Sequence, residues 1–139
     1  MVVKKKAGNS SNKVQKAKKI KKIPEGIGRI NGRFSRNNTI LNISKDNGDV
    51  LVQFSSGSLG YRGRKKSTSY VAQKVSEKII EKAEEYGIYK VKLQVKNIGA
   101  GRDAVMKKIL ESKNLKVEEL IDKTPIPFGG TRPRKRPRK

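Results

Sequence analysis

The chain has 139 residues, with 35 Lys and Arg against 12 Asp and Glu, a formal net charge of +23 and a hydrophobic fraction of 33%. About one domain fits in that length, and self-repulsion of this size opposes compaction unless a polyanion supplies the counter-charge, so the first expectation is a nucleic-acid binder. With no Cys and no His the sequence excludes disulfides, thiolate chemistry, Cys/His zinc sites and any histidine base, and no run approaches the ~18 consecutive apolar residues of a membrane span.

The charge is unevenly placed. Residues 1–23 hold nine Lys and no acid, and residues 129–139 hold six Lys or Arg and no acid. Leu, Ile, Val and Phe run the other way: five in 1–23, 29 in 24–128 and none beyond. Only 24–128 can bury a core, so the chain divides into a basic N-terminal extension (1–23), an α/β body (24–128) and a basic C-terminal tail (129–139), both ends expected to be disordered without a partner. The N-terminal run has no apolar stretch of a secretory signal. It also has no Arg, which argues against a mitochondrial transit peptide, the competing reading of this segment.

In chain order, Gly28, Ile30, Gly32 and Phe34 alternate with Ile27, Arg29, Asn31 and Arg33, which predicts a strand whose outer face carries two guanidiniums. Asp46-Asn47-Gly48-Asp49 predicts a two-residue type I′ turn. That turn pairs Ile43 with Val52 and Leu41 with Phe54 on one face and Asn42 with Gln53 on the other, giving strands at about 39–45 and 50–55. From Thr68 the period becomes helical, with Val71, Val75, Ile79, Ala83 and Tyr86 on one stripe. Ser67 or Thr68 suits the N-cap and Gly87 the C′ position of a helix over about 69–86. Lys74, Lys78 and Lys82, three residues before Glu77, Glu81 and Glu85, mark its solvated side. Val91, Leu93 and Val95 alternate with Lys90, Lys92, Gln94 and Lys96 as another strand, and a second helix over about 102–113 buries Val105, Ile109 and Leu110. Residues 115–124 fit a helical turn as well as a strand, position favouring the strand. The fold expected is α/β, a single domain with a mixed sheet of about five strands and two main helices.

Two glycine-bearing turns carry the chemistry. The segment 57–66 sets three glycines, four cations (Arg62, Arg64, Lys65, Lys66) and Tyr61 between a strand and a helix start. Glycines admit close approach of a ligand, the cations meet phosphate, and the ring offers a stacking surface. It is not a P-loop, for want of Gly-Lys-Ser/Thr. Gly99-Ala100-Gly101-Arg102-Asp103-Ala104 matches the loose dinucleotide fingerprint, with Asp122 about twenty residues on, yet too little chain follows for a nucleotide-binding half-fold. A tight turn aiming Arg102 and the first amides of a helix at phosphate is the better reading, Asp103 favouring the helix start. Asp46, Asp49, Glu77, Asp103 and Asp122 are scattered, where a two-metal nuclease needs carboxylates brought together. In the tail, Pro133 and Pro137 keep Arg132, Arg134, Lys135, Arg136, Arg138 and Lys139 extended, fit to follow a phosphate backbone.

Several short stretches fall in one order: Asn37-Asn38-Thr39-Ile40, Gly60-Tyr61-Arg62-Gly63, Lys66-Ser67-Thr68, Ala72-Gln73, Glu85-Tyr86-Gly87-Ile88, Gly99 to Asp103, and Asp122 with Thr124-Pro125-Ile126-Pro127. Together, over about 26–139, they resemble the small-subunit ribosomal protein S-eleven family of the bacterial or organellar type. The resemblance implies an α/β fold, no catalytic residue and no cofactor or metal. It implies a structural role on the platform of the small subunit near the messenger RNA exit (Shine-Dalgarno) region. Small-subunit ribosomal RNA and neighbouring small-subunit proteins are its implied partners, with messenger RNA close by and no membrane. Four features depart from the family. Ser35 and Arg36 intervene between Phe34 and Asn37, Ser69 replaces a common Pro, Ile98 and Ala100 replace a small residue and a Pro, and Phe128-Gly129-Gly130-Thr131 replaces a more polar sequence.

The RNA-binding set expected is thus Arg29, Arg33, Arg36, Asn37, Asn38, Tyr61, Arg62, Arg64, Lys65, Lys66, Arg102 and the six tail cations. The expected location is the cytoplasmic ribosome, with an organellar ribosome as alternative. A free-standing basic nucleic-acid chaperone is the competing function.

Overall fold

The computed structural model describes residues 26–136. Five strands and two α-helices follow in the order β1 (Ile27–Phe34), β2 (Thr39–Ser44), β3 (Val50–Ser55), α1 (Ser69–Glu85), β4 (Lys90–Lys96), α2 (Arg102–Leu110) and β5 (Lys116–Asp122), with a 3-10 turn over Gly63–Ser67 before α1. The sheet runs β3-β2-β1-β4-β5: β1 is antiparallel to β2, β2 is antiparallel to β3, and β4 is parallel to both β1 and β5. Such a mixed sheet follows from the connections, since short turns join β1 to β2 to β3 and a helix carries each of the two later crossovers.

The period-2 patterns decide which face is buried. Ile30, Phe34, Leu41, Ile43, Val91, Leu93 and Val95 lie on one face and are enclosed by Val71, Val75 and Ile79 of α1 and Val105 and Ile109 of α2 in a single core. Each such fully buried side chain contributes about 1.5–3 kcal/mol by leaving water. Both helices cover this face, and no described element covers the other. Within residues 115–124 the chain forms the strand β5 and not a helical turn, and Leu115, not Leu110, joins the core. Helix α2 ends at Leu110, three residues short of expectation, which leaves Leu110 56% exposed.

The β2–β3 turn differs from expectation. Only Gly48 takes a positive φ (+92°), Asn47 does not, and Gly48 N–H donates to Lys45 O at 3.0 Å while Lys45 N–H donates to Asp49 O at 3.0 Å. The loop is therefore three residues with a glycine bulge, which moves the pairing by one so that Ser44 faces Val50. Leu51 is then the unpaired extra residue of a second bulge, which moves the register back. Leu41 still faces Phe54, Asn42 Gln53 and Ile43 Val52, because a one-residue slip would turn the apolar set to water.

At the two ends of α1 the chemistry read from sequence holds. Thr68 Oγ1 accepts from Val71 N–H at 3.5 Å. Gly87 (φ +74°) donates to Glu84 O and Ile88 N–H donates to Ala83 O, both at 2.9 Å, a Schellman closure that seats Ile88 in the core.

Candidate nucleic-acid interface

The carboxyl ends of β1, β3, β4 and β5 and the N-termini of α1 and α2 all lie at one end of the sheet, as the strand directions require. Three loops and the start of the tail leave from that end, and each is held by contacts the sequence only partly announces.

The two residues set between Phe34 and Asn37 build a self-contained turn. Ser35 N–H donates to Asn38 O at 2.9 Å, and Asn38 N–H donates to Ser35 Oγ at 3.0 Å. Arg36 and Asn37 stand exposed at its tip, while Asn38 Oδ1 is buried without a partner among the described residues. The turn rests on the 99–101 segment. A Cβ on Gly99 would stand 2.7 Å from Ser35 O, and one on Gly101 would stand 2.6 Å from Ala72 Cβ and 2.8 Å from Thr39 Oγ1. Neither glycine has a positive φ, so both are needed for closeness and not for backbone conformation.

The glycine loop has a rigid base. Ser55 and Ser58 exchange backbone N–H to Oγ bonds at 2.8 and 3.1 Å, buried Ser56 donates its N–H to Thr39 O at 3.0 Å, and Tyr61 N–H donates to Ser56 O at 3.3 Å. Gly60 (φ +86°) and Gly63 (φ +60°) then turn the chain. Arg62, Arg64 and Lys65 are exposed and Lys66 half-buried. Tyr61 is half-buried against the core, so less of its ring is free for stacking than the sequence suggests. Arg64 and Lys65 share a hollow with Ser69 and Ala100, and Ser69 Oγ donates to Ala100 O at 3.1 Å, which binds the two glycine-bearing loops together.

Ion pairing separates the cations into two groups. On the helices, Lys74, Lys78 and Lys82 pair with Glu77, Glu81 and Glu85 at 2.9, 2.7 and 2.6 Å. Glu77 also reaches Lys108 of α2 at 3.2 Å, a clamp between helices that the helical spacing alone did not reveal. Lys74, and after it Lys108, hold the Glu77 carboxyl below its ordinary value. By contrast, Arg33, Arg36, Arg62, Arg64, Lys65 and Lys66 take part in no ion pair among the described residues. Their charge is left for an outside anion.

Two expected contacts are placed differently. Arg29 lies on the open sheet face toward the opposite end, 3.4 Å from Asp46 Oδ1. Arg102 is not aimed outward: it donates to Asp122 Oδ2 at 2.7 Å and to Asn97 O at 3.4 Å. Asp122 Oδ1 accepts from Thr124 Oγ1 at 2.6 Å and Thr124 N–H at 2.9 Å, and Asn97 N–H, at a residue with φ +67°, donates to Thr124 Oγ1 at 3.2 Å. The arginine thus anchors the root of the tail. The acid twenty residues beyond the glycine turn is its ion-pair partner, which also accounts for the chance likeness to a dinucleotide fingerprint.

From residue 123 onward the described chain has no regular secondary structure, and Arg132, Arg134, Lys135 and Arg136 are exposed. Arg138, Lys139 and the whole 1–23 extension lie outside the described residues. Sequence reasoning missed Lys96 and Lys123, which share a recess with Arg33 on the open sheet face. It also missed Tyr70 in the first turn of α1, 61% exposed with Lys74 Nζ 5.9 Å from its ring centre, a spacing of four that could have been noticed.

Comparison with known proteins gives concordant matches. The family described as ribosomal protein S11 matches residues 26–138. Small ribosomal subunit protein uS11 of Nautilia profundicola is 41% identical over 130 residues, covering 93% of this chain and 98% of that protein. The protein of the same name from Mycoplasmopsis pulmonis is 41% identical over 130 residues (94% and 93%), and that from Helicobacter hepaticus 43% over 126 residues (90% and 95%).

Proposed function

Because the chain belongs to the ribosomal protein S11 family, a structural and non-enzymatic component of the small ribosomal subunit, we propose that it binds ribosomal RNA through the end of the sheet where both helices begin. Arg33, Arg36, the cations of the glycine loop and the basic tail supply the phosphate contacts. In this reading the body sits on the platform of the small subunit, near the path by which messenger RNA leaves, beside other small-subunit proteins of a cytoplasmic ribosome.

The observation that carries the proposal is the division of charge. Among the described residues Arg33, Arg36 and the glycine-loop cations at this end have no internal counter-ion, Arg102 with Asp122 being the exception, whereas the lysines of α1 are neutralised by neighbouring Glu. An anion is therefore most favoured at the loop end, where the two helix dipoles also point their positive ends.

Sedimentation tests it. The protein is expected to migrate with the small subunit through a high-salt wash. A free-standing chaperone held only by loose phosphate contacts would wash off, and that result would overturn the proposal.

A further inference from the structure

The strand register sets four amide side chains in one row across the uncovered face of the sheet. Gln53 of β3 faces Asn42 of β2, Asn42 faces Asn31 of β1, and Asn31 faces Gln94 of β4. The row lines a recess of about 360 Å3 whose lining also holds Arg33, Lys96 and Lys123 and contains no acid and no aromatic. A solvated sheet face needs polar residues but does not need them fixed. Here the centre of the row is fixed: Asn31 Nδ2 donates to Asn42 Oδ1 at 2.8 Å and to Ser44 Oγ at 3.2 Å. Both protons of the Asn31 amide are used, which leaves its carbonyl oxygen as an acceptor for a further partner, while the NH2 of Asn42 beside it makes no hydrogen bond among the described residues. The side chains of Gln53 and Gln94, at the ends of the row, make no hydrogen bond among the described residues.

We infer that this face is a second RNA contact, which takes a short unpaired segment by hydrogen-bonding its base edges with the amide row while Arg33, Lys96 and Lys123 hold its phosphates. A neutral amide has no advantage over the surrounding lysines toward phosphate. Its adjacent donor and acceptor do match a base edge, as Asn and Gln do on adenine. The bases must be unpaired, because an A-form duplex buries those edges in a deep, narrow groove. A recess of this size is at the lower end of the ~300–1,000 Å3 of small-ligand pockets, room for base edges and not for a duplex. Without an aromatic in the recess, selection rests on edges and not on stacking.

The inference rests on the RNA-binding reading above, and its test separates the two. Fluorescence anisotropy compares the full chain on short oligo(A), oligo(C), oligo(G) and oligo(U) and on an RNA duplex. The native chain is expected to prefer one homopolymer by about tenfold. The uncharged double variant Gln53→Met, Gln94→Met should lose that preference while keeping duplex affinity and its salt dependence. Neither glutamine is used internally, so the fold is not at stake. Arg33→Gln should weaken all four homopolymers alike. A native chain that binds all four equally, a preference that survives the double variant, or a variant weakened on the duplex as much as on single strands would each overturn the inference alone. Failure to bind any RNA would overturn it together with the proposed function.

Discussion

Asp122 receives two hydrogen bonds from Thr124 and an ion pair from Arg102, and these hold its carboxyl down from 3.8 to about 2, Thr124 Oγ1 being the largest cause. A carboxyl lowered in the folded state contributes stability above its unfolded pKa, and that contribution is lost as pH falls through the folded one. The clamp at the root of the tail is thus whole from neutral pH down to about 4 and opens only toward pH 2. Titration of the Asp122 carboxyl carbon by NMR should give a midpoint near 2, rising toward the ordinary carboxylate value in Thr124→Val. A native midpoint near 3.8 would mean the clamp does not persist in solution. At this scale the sequence was a partial guide. It marked Arg102 as a residue of interest through the glycines before it, but its partner lies twenty positions on, across the end of two parallel strands. Nothing local announces which of the scattered acids will meet it.

At the scale of the element, α1 is fixed by caps that were legible before the structure. Its C-terminus depends on Gly87 at φ +74°, a region where a Cβ costs about 1–2 kcal/mol. Its N-terminus depends on one long hydrogen bond to Thr68 Oγ1 at 3.5 Å, toward the lower part of the ~0.5–2 kcal/mol range for such caps. Gly87→Ala is therefore expected to lower the urea-unfolding free energy by more than Thr68→Ala. The reverse order would show that the first turn is held by something other than its cap. The β2–β3 turn gives the opposite lesson. Asn-Gly signalled the hairpin, and the register that brings Ile43 to Val52 is the one observed, yet it is reached through a longer loop and a bulge at Leu51. Burial of the apolar face decided the pairing, and the turn adapted to it. Leu110 is a similar case. Its spacing suits the helix stripe, but the chain turns away there and Leu115 joins the core instead.

Across the whole molecule, charge and core are kept apart. The helical side pairs its lysines with Glu, whereas at the end of the sheet where the helices begin, and in the tail that leaves it, Arg102 alone is paired among the described cations. RNA affinity should then fall steeply with salt. Removing residues 129–139, which hold six cations, should reduce the slope of log affinity against log salt by about 4–5 if all six lie on phosphate, at ~0.7–0.9 per contact. The thermal midpoint of the body should stay unchanged, since among the described residues no core residue lies beyond 128. A slope that does not change would mean the tail makes no phosphate contacts. A body that melts would mean the tail is part of the fold.

The sequence by itself determined the existence and type of four strands and both helices, the buried stripe of α1, its caps and the family, because these depend on residues within a turn or two of one another and on the order of motifs along the chain. The tertiary structure alone decided which cations are spent. It showed Arg102 and Arg29 paired internally, Arg33 joined by Lys96 and Lys123, and four amides from four strands drawn into one row. Those relations join residues tens of positions apart, through parallel pairing and two bulges. Periodicity states which face a side chain is on, and only the closed sheet states what stands beside it.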